Sequence, residues 1–128
     1  TIAHAVERAS AYALAHGPAV GIGMAVEARL GELLGVTESG TADRLGKLLA
    51  RLGLPREVPA EVDPAAILEA TRTDKKARAG RVRYTLVARI GAVARSTGDG
   101  WTHEASDAAV LAALERGGRG PNDGTPDV

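Results

Sequence analysis

Cysteine and phenylalanine are both missing from this 128-residue chain, and other aromatics are scarce, with one Trp and two Tyr. Without cysteine there can be no disulfide, no thiolate metal site and no thiol nucleophile. That fits a cytoplasmic protein. Without large rings, Leu, Val, Ile and Ala must fill the core, and small aliphatic side chains suit closely packed helices. Net charge is missing too, because 16 basic and 16 acidic residues cancel. A balanced surface offers no electrostatic footprint for nucleic acid or an anionic membrane, so neither is expected as a partner. No apolar stretch approaches the roughly 18 residues of a membrane span. Thr1 stands where an initiator Met would, so the natural start is expected further upstream.

What is present reads as one globular domain. Apolar residues make up 45% of the chain, enough to argue against disorder. A domain of this size hides roughly two-thirds of its unfolded surface. The spacing predicts five helices. The first runs from the start to about Ser10, with Ile2, Val6 and Ala9 on one face. The second starts near Pro18, a residue suited to a first helical turn. It carries Ile22, Val26, Leu30, Leu33 and Leu34 and stops at Gly35. The third lies between Thr41 and Leu52, with Leu45, Leu48, Leu49 and Leu52 as its apolar stripe. The fourth begins at Asp63-Pro64, a cap followed by a proline at the first position, and should reach about Lys75. The fifth starts near Ser106 and carries Val110, Leu111 and Leu114.

Between the fourth and fifth helices the period changes to two. Polar Arg81, Arg83 and Thr85 alternate with apolar Val82, Tyr84 and Leu86, which predicts a strand over 81–87. A second strand at Ala92 to Arg95, after the Gly91 turn, would complete a small hairpin. The tail from Gly117 is rich in Gly, Pro, Asn and Asp and is expected to be disordered.

Three groups of residues are chemical candidates. His4 and His16 lie on either side of a predicted helix end. Their spacing is not that of a helical zinc pair, and ordinary surface histidines are the simpler reading of spacing alone. Metal ligation is the functional alternative, and His16, just before Gly17-Pro18, is well placed to point into a cleft. Glu7, one turn after His4, is either a carboxylate that orients an imidazole or a surface charge. The run Asp74-Lys75-Lys76-Ala77-Arg78 closes a predicted helix. It reads as a solvated cationic cap favoured by the helix dipole, or as a clamp for carboxylate or phosphate. Gly17, Gly21 and Gly23 do not form a dinucleotide fingerprint, since no strand precedes them; close approach of a neighbouring helix is the better explanation. His103, beside Trp101, has nothing near it that suggests a site.

Taken together, three segments resemble one family. Thr1-Ile2-Ala3-His4-Ala5-Val6-Glu7 is similar to the later part of Gly-His-Thr-x-x-His-Ala-x-Glu. Leu14-Ala15-His16-Gly17-Pro18-Ala19-Val20-Gly21-Ile22-Gly23-Met24 is similar to Leu-x-His-Gly-Glu-Ala-Val-Ala-Ile-Gly-Met. Asp74-Lys75-Lys76 with the strand after it is similar to an Asp-Lys-Lys stretch and hairpin, and Leu52-Gly53-Leu54-Pro55 falls in register between them. These are the segments of 3-dehydroquinate synthase, in the sugar-phosphate cyclase superfamily, and the likeness covers about residues 1–115.

The resemblance implies a mainly α chain: the helical C-terminal domain of the dehydroquinate synthase-like fold over 1–116, without the N-terminal NAD-binding domain. It implies zinc (or cobalt) held by a Glu and two His. His16 is one ligand; the other His would fall immediately before Thr1, and the Glu further upstream. His4 would act in proton transfer near the substrate. Lys75, Lys76 and Arg78 would hold the anionic groups of a sugar phosphate, with Lys76 the foremost. The implied reaction is cyclisation of 3-deoxy-D-arabino-heptulosonate 7-phosphate to 3-dehydroquinate in the shikimate pathway. It uses transient oxidation by NAD, phosphate loss, hydride return and an aldol closure. The complete enzyme would be a homodimer, and this chain by itself inactive. Pro18 departs from the pattern, which has Glu there. That keeps related cyclases open, those making aminodehydroquinate, 2-deoxy-scyllo-inosose or valiolone precursors. A helical interaction domain without catalysis is the alternative of another class.

Overall fold

The computed structural model describes residues 1–73, 81–96 and 100–119, with side chains to Glu115. The fold is mainly α. Helix α2 (His16–Leu34) is the axis of the domain, and α1 (Ile2–Ala9), α3 (Thr41–Arg51) and α5 (Asp107–Arg119) all pack on it. Helix α4 (Pro64–Thr71) closes the gap between α1 and α5. Because several faces of α2 are covered, its buried residues run round the helix: Ala19, Ile22, Gly23, Ala25, Val26, Ala28 and Leu30. The core is aliphatic, as the composition requires. Ile2, Val6, Ile22, Val26, Leu30, Ile67, Leu86, Val110 and Leu114 meet there with Tyr84, the one buried ring.

Helix α2 starts at His16, two residues before the expected Pro18. Ala15 is the N-cap, with φ −69° and ψ 162°. The third helical position has no amide partner in any helix, so Pro18 fits inside the first turn. At the other end Gly35 takes φ 77°, and the amides of Val36 and Thr37 both reach the carbonyl of Gly31 at 3.0 and 3.1 Å. Two carboxylates of α2 serve neighbouring helices. Glu27 Oε2 accepts the Ile2 amide at 3.1 Å and Glu32 Oε2 accepts the Ala42 amide at 2.7 Å. Each places negative charge at a helix N-terminus, where the macrodipole favours it.

Helix α4 has the expected cap, Asp63 Oδ1 accepting from the Ala65 amide at 3.0 Å. It ends at Thr71 and not near Lys75. The hydroxyls of Thr71 and Thr73 donate back to the carbonyls of Leu68 and Ala70, a competing bond that loosens a helical ladder. Helix α3 departs from its expected stripe. Leu49 is buried, Leu45 is half-buried, and Leu48 and Leu52 are 47% and 64% exposed.

The predicted 81–87 strand is two strands. β1 (Arg83–Tyr84) pairs antiparallel with β4 (His103–Glu104), which the sequence reading did not find. β2 (Val87–Arg89) pairs with β3 (Ala92–Val93) around Gly91, at φ 93°. The hairpin therefore exists, but its first arm begins at Val87. A bulge between Val87 and Arg89 and the Thr37 hydroxyl, which donates to the Val87 carbonyl, separate it from β1. The alternation itself holds, with Tyr84 and Leu86 buried and Thr85 exposed. Ser106 Oγ accepts the Ala109 amide at 3.1 Å and starts α5 as expected. That helix continues to Arg119, through the first residues assigned to the tail. Among the described residues no helix is long and apolar enough to cross a membrane.

Candidate metal centre

The first two helices are joined by a tight connector, and that connector builds the site. Ala11 and Tyr12 both adopt left-handed backbone, at φ 54° and 64°. Neither is the glycine or asparagine that usually takes this conformation. Glu7 secures the reversal. Its carbonyl accepts the Tyr12 amide at 2.8 Å and the Ser10 hydroxyl at 3.0 Å, and Ser10 Oγ accepts the Leu14 amide at 3.4 Å. The chain turns back at once, and His16 arrives beside α1.

Three side chains meet there. His16 Nδ1 lies 2.9 Å from Glu7 Oε2. The His4 and His16 rings stack, with centroids 6.4 Å apart and planes inclined by 29°. The side chain of His16 is 68% exposed and that of Glu7 only 15%, so the carboxylate forms the floor and the imidazole the rim. An ionised carboxylate only accepts, so Nδ1 is the donor, and in the neutral ring Nε2 then carries the lone pair. This is the arrangement of a metal-ligating histidine whose second nitrogen is held by a carboxylate. The described residues fit a metal through that one nitrogen. No group of three or more His, Cys, Asp or Glu among them is arranged to hold an ion, so a full coordination sphere needs ligands from elsewhere.

The structure places the His4 and His16 rings with centroids 6.4 Å apart. Of the two readings of Glu7, the structure favours the carboxylate beside an imidazole, and that imidazole is His16, across the connector. Lys75, Lys76 and Arg78, with Asp74, lie outside the described residues. Next to them in sequence, Arg72 and Arg81 line a cleft of about 180 Å³ walled by Tyr84. Its charges are balanced: Arg72 pairs with Asp107 at 2.8 Å and Arg81 with Glu104 at 3.3 Å. Burial pushes the Tyr84 hydroxyl up to about 12. Glu27 and Asp107 add to the rise, while the hydrogen bond to Thr71 and the charge of Arg72 oppose it. Sequence reading passed over Arg83, whose guanidinium grips β4 through Thr102 and Glu104. His103 is structural, with Nε2 3.1 Å from the Ala94 carbonyl.

The helical scaffold is a fold already seen in solved structures. It is similar to a crystal structure of 2-deoxy-scyllo-inosose synthase in complex with carbaglucose-6-phosphate, NAD+ and Co2+. The TM-score is 0.77 at 20% identity, over 91% of this chain and 33% of that one. A second crystal structure of 2-deoxy-scyllo-inosose synthase gives a TM-score of 0.71 at 19% identity, over 91% and 30%. At such identities the likeness establishes the fold. Sequence narrows the class: residues 1–77 match the family described as 3-dehydroquinate synthase C-terminal, and the chain belongs to that family. The 3-dehydroquinate synthase of Dehalococcoides mccartyi is 47% identical over 91 residues, 71% of this chain and 25% of that protein. The enzyme of a Synechococcus species is 44% identical over 94 residues, 73% and 26%. That of Mycolicibacterium vanbaalenii is 40% identical over 98 residues, 77% and 27%. The chain spans about a quarter of the length of these curated relatives.

Proposed function

We propose that this chain is the metal-bearing part of a cytoplasmic lyase that converts 3-deoxy-D-arabino-heptulosonate 7-phosphate to 3-dehydroquinate with release of phosphate. The observation that carries the reading is the exposed His16 ring, held at Nδ1 by Glu7 at 2.9 Å and lying beside the His4 ring. A bound zinc or cobalt ion would supply Lewis acidity toward substrate hydroxyls, and NAD a reversible hydride acceptor. His16 Nε2 is the ligand this chain offers. His4, exposed and stacked on that ring, is in reach of a substrate seated there and takes or returns a proton. Lys75, Lys76 and Arg78 hold the carboxylate and phosphate by charge-assisted hydrogen bonds. The remaining metal ligands and the dinucleotide site belong to polypeptide preceding Thr1, and the complete enzyme works as a homodimer. The isolated chain is expected to be inactive.

The test is His16→Ala in the complete enzyme, which should remove metal and activity together. Full metal stoichiometry in that variant would contradict the assignment. Lys76→Ala should keep the metal and raise the Michaelis constant. Unchanged turnover and Michaelis constant would remove Lys76 from the substrate site. One residue favours a second reading. Pro18 sits in the first turn of α2, two residues after His16, where the resembling pattern has Glu. A related cyclase would act on a different sugar phosphate, and turnover of the heptulosonate phosphate at an ordinary rate would reject it.

A further inference from the structure

The bond between Glu7 and His16 does more than close a turn. Histidine has two ring nitrogens, and a neutral ring offers a metal only the one without the proton. A free side chain exchanges the proton between them and turns about its terminal torsion, which is broad and roughly two-fold. An exposed histidine at a helix N-terminus would therefore present a lone pair in the right direction only part of the time. We infer that Glu7 is the positioning residue of this centre, holding the His16 ring in one orientation and one tautomer so that Nε2 is always ready for a divalent cation. The inference rests on the reading of His16 as a ligand given above.

Four observations support it. The contact at 2.9 Å is within normal hydrogen-bond range. Glu7 is itself held in place, because its carbonyl anchors the connector through Tyr12 and Ser10. Its side chain is only 15% exposed, so neighbouring atoms restrict it more than the histidine it holds. The fourth is the connector: two non-glycine residues, Ala11 and Tyr12, are kept left-handed in the segment that brings His16 over Glu7. Backbone in that region persists only where surrounding contacts impose it.

The experiment measures Co2+ affinity of the complete enzyme by chelator competition, with the Co2+ absorption spectrum and the melting temperature of the metal-free protein recorded in parallel. The variants are Glu7→Gln, Glu7→Asp, Glu7→Ala and His16→Ala. Glutamine still presents an oxygen acceptor at the same reach, so Glu7→Gln should stay near the parent affinity. Aspartate keeps the charge but is one methylene short, and alanine keeps neither. Glu7→Asp and Glu7→Ala should weaken Co2+ binding by about 10–100-fold and alter the spectrum. The melting temperature of metal-free Glu7→Asp should stay near that of the parent, which separates positioning from folding. Parent affinity in both Glu7→Asp and Glu7→Ala, with binding lost in His16→Ala, would overturn the role of Glu7 while leaving the ligand in place. Parent affinity in His16→Ala would instead overturn the reading of the centre itself, and this inference with it.

Discussion

A methyl group placed on Gly23 would lie 2.9 Å from the backbone nitrogen of Ala3 and 3.1 Å from its Cα. Helices α1 and α2 touch through bare backbone at that point, and no side-chain rotation can relieve the contact. Gly23→Ala should cost about 1–3 kcal/mol of stability in a denaturant titration. Because His4 and Glu7 ride on α1 and His16 on α2, the same displacement should weaken metal binding. Gly17 is the control. Apart from its chain neighbours nothing lies within 4 Å of a methyl group there, and the gain of alanine in a helix is offset by crowding against the Pro18 ring, so Gly17→Ala should stay within about 0.5 kcal/mol of the parent.

Tyr84 gives a prediction with a definite pH window. It is 1% exposed, and its pKa is raised from 10.0 to about 12. The folded state therefore favours the neutral phenol. That stabilisation is fully present below pH 10.0, the unfolded value, and is lost as pH rises toward 12. Stability should fall over this interval by something on the order of 2 kcal/mol from this group. Tyr84→Phe should be less stable at neutral pH, through loss of the Thr71 hydrogen bond, yet should show a shallower decline above pH 10.0. Equal slopes in the two proteins would contradict the assignment.

Much of the fold was legible in the sequence because the signals were local. Asp63 and Ser106 are caps whose chemistry acts within three residues, and both cap as expected. Gly35 and Gly91 mark a helix stop and a hairpin turn that need positive φ. Pairings set by distant segments were not legible. The alternation from Arg81 to Val87 gave the buried side of the strand correctly but could not show that Tyr84 pairs with His103. The partner of Glu7 was hidden for the same reason. It depends on the Ala11–Tyr12 reversal, and neither residue carries a sequence signal for left-handed backbone.

Helix α3 shows where periodicity misleads. A stripe states which residues share a face, and it does not state that the face is covered. Leu49 is 2% exposed whereas Leu52 is 64% exposed. Leu49→Ala should therefore cost about 2–5 kcal/mol. Leu52→Gln should stay within about 0.5 kcal/mol of the parent. Chemical denaturation of the two variants distinguishes a one-sided helix from the symmetric stripe that the spacing suggests. A large loss for Leu52→Gln in the complete enzyme, but not in the isolated chain, would show that other polypeptide covers this face.

Arg83 joins β1 to β4 through bonds that a single substitution can break. Its Nε donates to Thr102 Oγ1 at 2.7 Å, Nη2 to the Thr102 carbonyl at 3.1 Å, and Nη1 to Glu104 Oε2 at 3.0 Å. Lysine has no planar fork and can satisfy only part of this set. Arg83→Lys should speed amide hydrogen exchange in β1 and β4 while leaving the β2–β3 hairpin unchanged. Glu104→Ala should do much less, since that carboxylate is largely exposed and a surface pair contributes about 0–1 kcal/mol.

The connector between α1 and α2 supplies a last test, in which two opposing effects have to be weighed. Holding an L-residue in left-handed backbone costs roughly 1–2 kcal/mol. Glycine avoids that cost, although it loses roughly 0.5–1 kcal/mol through the greater freedom of its unfolded state. At Ala11, with φ 54° and an exposed side chain, the first effect is the larger. Ala11→Gly should raise the melting temperature, by an amount corresponding to at most about 1 kcal/mol. Ala11→Val should lower it further than a surface substitution normally does, because a branched Cβ crowds this backbone most. If Ala11→Gly stabilises the protein and leaves Co2+ affinity unchanged, the strain is held by the contacts of Glu7 and Ser10 and is not itself needed to aim His16.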